Sequence, residues 1–550
     1  MKVYEALAEA FAAEGTTDVF GMMGDANMHW MNALAGRGTR LYEVRHEGAG
    51  LSMAHGYARA SGRPGVVTTT SGPGTAQLAT SMIVASRART PLVAFCGETP
   101  LGDESAVQYL DQRRFAAAVE CAFLRVAKAD SAHEVVRRAF YTARSESRPV
   151  MVSAPFDVQL AEFEDDMPYV PSTELLKTPR LLPDPDLIAR ACDIVGSSKR
   201  VVIIAGRGAR GAGAGEEVLA LQRRTGGMLA TTLQAKNWLC DRSEYHVGIA
   251  GLFGSKLAME LLQSADCVVA VGASLNHYTI ESGYLFPDAR YVQIDTAPHV
   301  VMGNGRVADA YVQADAVPGL AALTAGLAGR GVQLEGFHTD EVHRRLTAPL
   351  IDPAEYRGGH GLLDPREAIA VLDEELPGEI GLVLGSGHQT DFGTMLFQRS
   401  REVTSNYGMF GAIGQAPLLT IGTVVASGGK PAFVVEGDAS FLMHLSEFET
   451  ACRYDLPVLV VVMNDEGLGA EYHKAQAKGL DPQLAVIPTP DLGAVARSLG
   501  GAGATVRTTG ELRAALAEYV AAPRPTVIDV RITRDVLSVP YRRLQYGEDV

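Results

Sequence analysis

The chain has 550 residues, 47% apolar and 21% charged, with a formal net charge of −15. That length suits about three to four domains with ample core, and the negative charge excludes nucleic acid or an anionic membrane as main partner. Six scattered cysteines (Cys96, Cys121, Cys192, Cys240, Cys267 and Cys452) without a C-x-x-C pair read as reduced core thiols of a cytoplasmic protein.

In chain order, Met1–Leu7 reads as an amphipathic helix and not as a signal peptide. The first block, 1–165, alternates helical patterns with short strands (41–44, 66–70, 92–95, 150–152), which predicts an α/β fold with a parallel sheet covered on both faces. An acidic, proline-bearing stretch over 162–185 reads as a surface linker. The second block, 186–328, carries strands at 201–205, 267–271 and 291–294, and a linker rich in Gly, His and charge follows over 329–362. The third block, 363–536, has buried-strand patterns at 381–384, 432–435 and 456–463, and 537–550 reads as a polar tail or lid. The fold class expected is three doubly wound parallel-sheet α/β domains. No apolar run approaches the ~18 residues needed to span a bilayer.

Chemistry concentrates where strands run into Gly-rich turns. Gly437-Asp438-Ala439-Ser440 follows one strand, and Asp465 follows the next, 27 positions after Asp438. A Gly-Asp turn offers one carboxylate and open backbone N–H groups to a phosphate. A second oxygen ligand from the neighbouring strand then suits Mg²⁺, which takes few protein carboxylates together with phosphate oxygens. Gly385-Ser386-Gly387-His388-Gln389 also follows a strand and reads as a backbone cradle for phosphate, with His388 and Gln389 as side-chain donors. Glu47, in Arg45-His46-Glu47-Gly48, stands where a strand meets a helix. A lone Glu there could simply favour the positive helix end. Thr70-Ser71-Gly72-Pro73-Gly74 at the next strand end is a second loop built for close approach.

Arg-His-Glu-Gly-Ala-Gly, Thr-Ser-Gly-Pro-Gly and Gly-Asp-Ala-Ser, in this order, resemble the thiamine-diphosphate-dependent enzymes of the acetolactate synthase, pyruvate decarboxylase and benzoylformate decarboxylase group. The resemblance covers nearly the whole chain: a pyrimidine-binding block first, a central block second, and a diphosphate- and Mg²⁺-binding block third. It implies that Glu47 hydrogen-bonds the aminopyrimidine, with Gly72, Pro73 and Gly74 beside it. Gly411 offers its carbonyl to the 4′-amine, and Ile413 props the two rings, with Met409 as the alternative. Gly437, Asp438, Ala439, Ser440, His388, Gln389, Asp465 and Gly467 hold the diphosphate end. Asp438, Asp465 and the Gly467 carbonyl are the implied metal ligands. Asn464 and the Glu466 carbonyl replace the last two if the register slips by one.

On the substrate side, Asp25 and Glu471 match the acidic residues of pyruvate-decarboxylase-like enzymes, and Gln108 matches the glutamine of acetolactate synthase. His473 and His29 are added as substrate-facing. The paired histidines of pyruvate decarboxylase are absent, Val107 stands in place of acetolactate synthase's phenylalanine, and its tryptophan is missing near Lys474. The implied activity is decarboxylation of a 2-oxo acid, with protonation of the enamine or its ligation to an aldehyde or a second oxo acid. A homodimer is the implied minimum, because Glu47 of one subunit would meet the diphosphate held by another, and a homotetramer is the fuller expectation. Gly206-Arg207-Gly208-Ala209-Arg210-Gly211 fits G-x-G-x-x-G but lacks an acidic partner ~20 residues later. FAD stays open as a further cofactor, and with it an FAD-dependent oxidase. A non-catalytic thiamine-diphosphate-binding relative is the other alternative.

Overall fold

The computed structural model describes residues 1–164, 167–175, 180–298, 301–347, 354, 356, 361–405 and 407–550. Parts of both predicted linkers lie outside the described residues. The first linker contains a short helix, Ser172–Leu175, and the second a helix, Asp340–Leu346.

Three parallel six-stranded sheets, each with helices around it, build the chain. The first contains β1 (Asp18–Gly21), β2 (Arg40–Glu43), β3 (Gly65–Thr69), β4 (Leu92–Glu98), β5 (Ala122–Arg125) and β6 (Pro149–Pro155), in the order β2-β1-β3-β4-β6-β5. The second contains β7 (Val201–Ala205), β8 (Met228–Thr231), β9 (His246–Ile249), β10 (Cys267–Val271), β11 (Arg290–Asp295) and β12 (Ala310–Gln313), in the order β12-β11-β10-β7-β8-β9. The third contains β13 (Gly381–Leu384), β14 (Val403–Ser405), β15 (Ala432–Gly437), β16 (Val458–Asn464), β17 (Ala502–Val506) and β18 (Thr526–Arg531), in the order β14-β13-β15-β16-β18-β17. The first and third sheets therefore share one strand order and the central sheet has another. Central strands such as β4, β7, β10 and β16 are buried along their whole length. This is why they read as continuous apolar runs and not as alternating ones.

In open parallel sheets ligands bind beyond the carboxyl ends of the strands, at the point where strand order reverses. That point lies between β13 and β15 in the third sheet and between β1 and β3 in the first. Register finishes the placement: Leu384 pairs with Val435, and Gly437 pairs with Met463. The turns after β13, β15 and β16 thus emerge side by side.

One helix pair ties the first sheet to the third. Helix Glu47–Ser61 packs against helix Ala416–Ala426, each beginning just after a predicted functional loop. A Cβ at Gly56 would collide with the Leu419 carbonyl, and one at Gly422 with the Met53 carbonyl, so glycine sets this close approach. Gln415 Oε1 accepts from Ser52 Oγ (2.5 Å) and Ser81 Oγ (3.1 Å) across the same contact. A single buried cluster contains Met53, Tyr57 and Met82 together with Leu419, Val425 and Val460. The central sheet keeps two core clusters of its own. It meets the third through Leu252 and Phe253 against Met395 and Tyr407, and through Lys236 Nζ donating to the Phe397 carbonyl (2.8 Å).

The segment predicted as tail or lid forms a helix, Val539–Tyr546, capped by Ser538. Arg543 donates from this helix to the carbonyls of Leu252 (3.1 Å) and Gly254 (2.8 Å) in the central unit. No described helix is long and apolar enough to cross a membrane.

Candidate active site

Asp438 begins the short helix Asp438–Leu442 at the end of β15 and is 1% exposed. Its Oδ2 accepts from the Gly467 N–H (3.1 Å), while its Oδ1 is buried with no partner. Burial, and then the neighbouring Asp465 carboxylate, push its pKa up to about 7. Burial likewise pushes Asp465 up to about 6, against the opposing pull of Arg534. Two carboxyls forced together away from water cannot both ionise cheaply unless a cation joins them. Their oxygen chemistry and the orphaned Oδ1 fit Mg²⁺, whose remaining ligands would be phosphate oxygens and water. Among the described residues no group of three or more His, Cys, Asp or Glu surrounds a common point, which that ligand set does not require.

The residues of the one-residue alternative are engaged within the protein. Asn464 Nδ2 donates to Asp529 Oδ1 (2.8 Å) and Thr489 Oγ1 (3.0 Å), and its Oδ1 accepts from Glu466 N–H (3.0 Å). The Glu466 carbonyl accepts from Ile487 N–H and from Arg534. Arg534 Nε also donates to the Asp465 carbonyl (3.2 Å), so this arginine braces the turn that presents Asp465.

Gly387, at φ +133°, caps the helix His388–Leu396 with a backbone only glycine adopts freely. The two residues after it differ from expectation. Gln389 Nε2 donates to Ser386 O (3.2 Å) and Glu436 Oε1 (3.1 Å), so both amide hydrogens are spent inside the protein and none is offered to a phosphate. His388 is buried, and its Nε2 accepts from the Ser538 N–H (3.0 Å), so that nitrogen is not a donor either. Ser440 contributes through its hydroxyl, which accepts from the Gly414 N–H (2.6 Å) and so pins the Gly411–Gly414 loop to the Gly-Asp turn. In that loop Gly411 is exposed, at φ +72°, and Ile413 is half-buried.

Glu436 escaped the sequence reading. It is fully buried just before Gly437, accepts from Gln389 and from the Gly437 N–H (3.1 Å), and lies against Gly385. Burial pushes its pKa up to about 7. It ties together the turns after β13 and β15. Asp391, also missed, is fully buried and accepts from Ser538 Oγ (2.7 Å); burial raises it to about 7. Both sit beside motifs already noted, but their burial is visible only once the turns are stacked.

At the first sheet, Glu47 opens its helix, and the His46 side chain caps that helix by accepting from the Gly48 N–H (3.1 Å). Glu47 Oε1 lies over Gly74, where an added Cβ would sit 3.0 Å from it. Gly72, at φ +54°, leaves no room for a Cβ against the Gln108 carbonyl, and Pro73 starts the next helical turn. The Glu47 and Gly72-Pro73-Gly74 segments thus form one surface. His46 also lies 5.8 Å from the His444 ring, and Arg45 N–H donates to Glu447 Oε1 (2.9 Å).

The substrate-side residues scatter more. Asp25 and Gln108 are exposed, and Gln108 Oε1 accepts from Ser71 Oγ (2.7 Å). Glu471 is exposed and pairs with Lys474 (3.0 Å). His473 is turned inward instead, 2% exposed, with its ring 4.6 Å from His388 and 6.3 Å from Tyr541. His29 packs between Tyr4 and Phe156. In the central sheet, Gly206 and Gly208 pack onto the backbone of Gly272, so the G-x-G glycines are spent closing the β7–β10 reversal.

Comparison with known proteins places these features. Three family profiles match: the N-terminal TPP binding domain of thiamine pyrophosphate enzymes over residues 1–117, their central domain over 188–323 and their C-terminal TPP binding domain over 386–530. The chain belongs to the thiamine pyrophosphate enzyme family, in its acetolactate synthase and pyruvate decarboxylase-like group. It is 27% identical to a probable acetolactate synthase large subunit of Methanocaldococcus jannaschii, over 97% of this chain and 92% of that protein. It is 29% identical to the acetolactate synthase large subunit of Parasynechococcus marenigrum, over 96% and 87%. It is also 27% identical to sulfoacetaldehyde acetyltransferase of Castellaniella defragrans, over 98% and 94%.

Proposed function

We propose that this protein is a thiamine-diphosphate- and Mg²⁺-dependent enzyme that decarboxylates a 2-oxo acid and passes the remaining unit to a proton or to a second carbonyl compound, as a carboligase does. The observation that carries this is the buried Asp438–Asp465 pair at the third-sheet reversal, with one oxygen orphaned. When bound, thiamine diphosphate supplies a carbon nucleophile for the oxo acid. Glu47 would accept a proton-bearing ring nitrogen at the pyrimidine end, and its negative charge would favour that protonated form. The Gly72–Gly74 loop would lie along the ring, with Ile413 beneath it and the Gly411 carbonyl toward its amine. Asp438, Asp465 and the Gly467 carbonyl would hold the ion, with Gly437, Ala439 and Ser440 at the diphosphate. Asp25 and Glu471 would handle substrate protons at the rim, with Gln108 as a hydrogen-bonding group beside them.

A homodimer, extended to a homotetramer, is part of the proposal. A cytoplasmic location is likewise proposed. The names of the relatives support both carboligation and acetyl transfer. FAD has less support, because the Gly206–Gly208 turn is packed against Gly272; a flavin absorption spectrum of the purified protein decides it. The central test incubates protein, Mg²⁺ and thiamine diphosphate with a panel of 2-oxo acids, alone and with aldehyde or sulfoacetaldehyde acceptors. CO₂ release with an identified product is expected, and no CO₂ from any member contradicts the proposal.

A further inference from the structure

The C-terminal helix reaches the floor of the candidate site through its N-cap, Ser538, and through Tyr541. Ser538 donates its backbone N–H to His388 Nε2 (3.0 Å) and its hydroxyl to Asp391 Oδ2 (2.7 Å). His388 is the first residue of its helix, directly after the Gly385-Ser386-Gly387 turn. Its Cβ lies 3.7 Å from where a Cβ on Gly469 would stand, a position that also abuts the Asp465 carboxylate. The start of the His388 side chain is therefore near the turn that carries Asp465. Phe392 (5.0 Å), His473 (4.6 Å) and Tyr541 (4.9 Å) surround the ring, so its orientation is fixed by packing.

A neutral imidazole carries one proton, and the nitrogen that accepts a hydrogen bond is the one without it. Burial and the neighbouring His473 hold His388 well below its ordinary pKa, which keeps it neutral. The Ser538 N–H therefore dictates that Nδ1 bears the hydrogen, and among the described residues no group accepts from it. We propose that Ser538 is a positioning residue for the diphosphate half of the site: its N–H locks His388 as the Nδ1–H tautomer, and that N–H is the donor His388 presents to a diphosphate oxygen. The inference rests on the thiamine diphosphate reading above. It restores His388 as an anion donor, through its other nitrogen, and makes the C-terminal helix part of the cofactor site.

Proline at 538 removes the N–H but fits the backbone there, at φ −68°. Alanine removes only the hydroxyl. Asparagine at 388 places an amide donor near the Nδ1 position with no tautomer to set. Thiamine diphosphate affinity in saturating Mg²⁺, read by titration calorimetry on the full-length protein, separates these roles. Ser538→Ala is expected to bind within about threefold of wild type, and Ser538→Pro about tenfold or more weaker, the scale of one hydrogen bond to a charged acceptor. His388→Asn should bind equally with and without Ser538→Pro. Wild-type affinity in Ser538→Pro, or full additivity of the two substitutions, overturns the inference.

The tautomer can also be read without any proline variant. In ¹⁵N-histidine spectra of wild type, the resonance lost in His388→Asn should show protonated Nδ1; protonated Nε2 overturns the inference. A wild-type protein that binds no thiamine diphosphate overturns the cofactor reading itself, whatever the tautomer.

Discussion

The first and third sheets have the same strand order, yet they place charge differently at the same topological point. Around β13, β15 and β16, three carboxyls (Glu436, Asp438 and Asp465) are withdrawn from water and raised in pKa. Around β1 to β3, Glu47 stands at a helix start above a glycine, while Asp25 and Gln108 are exposed. On the proposed function, the third-sheet end would hold a cation, and the first-sheet end would offer one carboxylate to the cofactor's ring. The fold supplies the crevice in both cases, and the chemistry comes from which residues the turns carry.

Substitutions can break each side separately. Asp438→Ala should abolish Mg²⁺-dependent binding of thiamine diphosphate and lower turnover by about a thousandfold or more, because it removes an ion ligand and not a proton-transfer group alone. Binding unchanged by this substitution would leave the third sheet without its assigned role. Glu47→Gln should bind the cofactor nearly normally and lose about 10²–10⁴ in kcat, the range for a proton-handling group. Equal losses in cofactor affinity at both positions would erase the contrast between the two ends.

The helix pair joining the sheets should be sensitive to a single methyl. Gly422→Ala must push the Met53 carbonyl away, and Gly56→Ala the Leu419 carbonyl. Each is expected to cost about 1–3 kcal/mol of stability, as overpacking does, measured by urea unfolding. No loss in either would mean that the helices stand further apart.

The smallest expected effect is on pH dependence. Glu436 and Asp391 both have folded pKa values raised to about 7 by burial. The folded state then holds more protons than the unfolded one between the unfolded carboxyl pKa, about 4, and about 7. Without cofactor, the share of stability these two carboxyls contribute should fall as pH rises through that window, and Glu436→Gln should remove the Glu436 part of it. A pH dependence of stability identical in wild type and Glu436→Gln contradicts the raised pKa of this group.

Much of the fold was legible because buried parallel strands leave a plain mark. The strands predicted at 201–205, 267–271 and 381–384 have those limits in the structure, and the three-sheet α/β class follows from the alternation. The Gly-rich turns were legible for the same reason: they sit at strand ends. Orientation of side chains was not. His388, Gln389 and His473 lie in the predicted segments, but their polar atoms face Ser538, Glu436 and a ring cluster, contacts set by chain 47 to 150 residues away or by inward packing. The choice between Asn464 and Asp465 also needed β18, since Asp529 engages the asparagine. Differences between the central sheet's strand order and the other two were invisible in periodicity alone.

The central claim is that Asp438 and Asp465 form a cation site that secures thiamine diphosphate. Calorimetric titration of the metal-stripped protein with thiamine diphosphate, with and without Mg²⁺, addresses it most directly. The account predicts saturable binding only when Mg²⁺ is present, lost in Asp438→Ala. Binding of equal strength without any divalent cation, or none with it, would contradict the account.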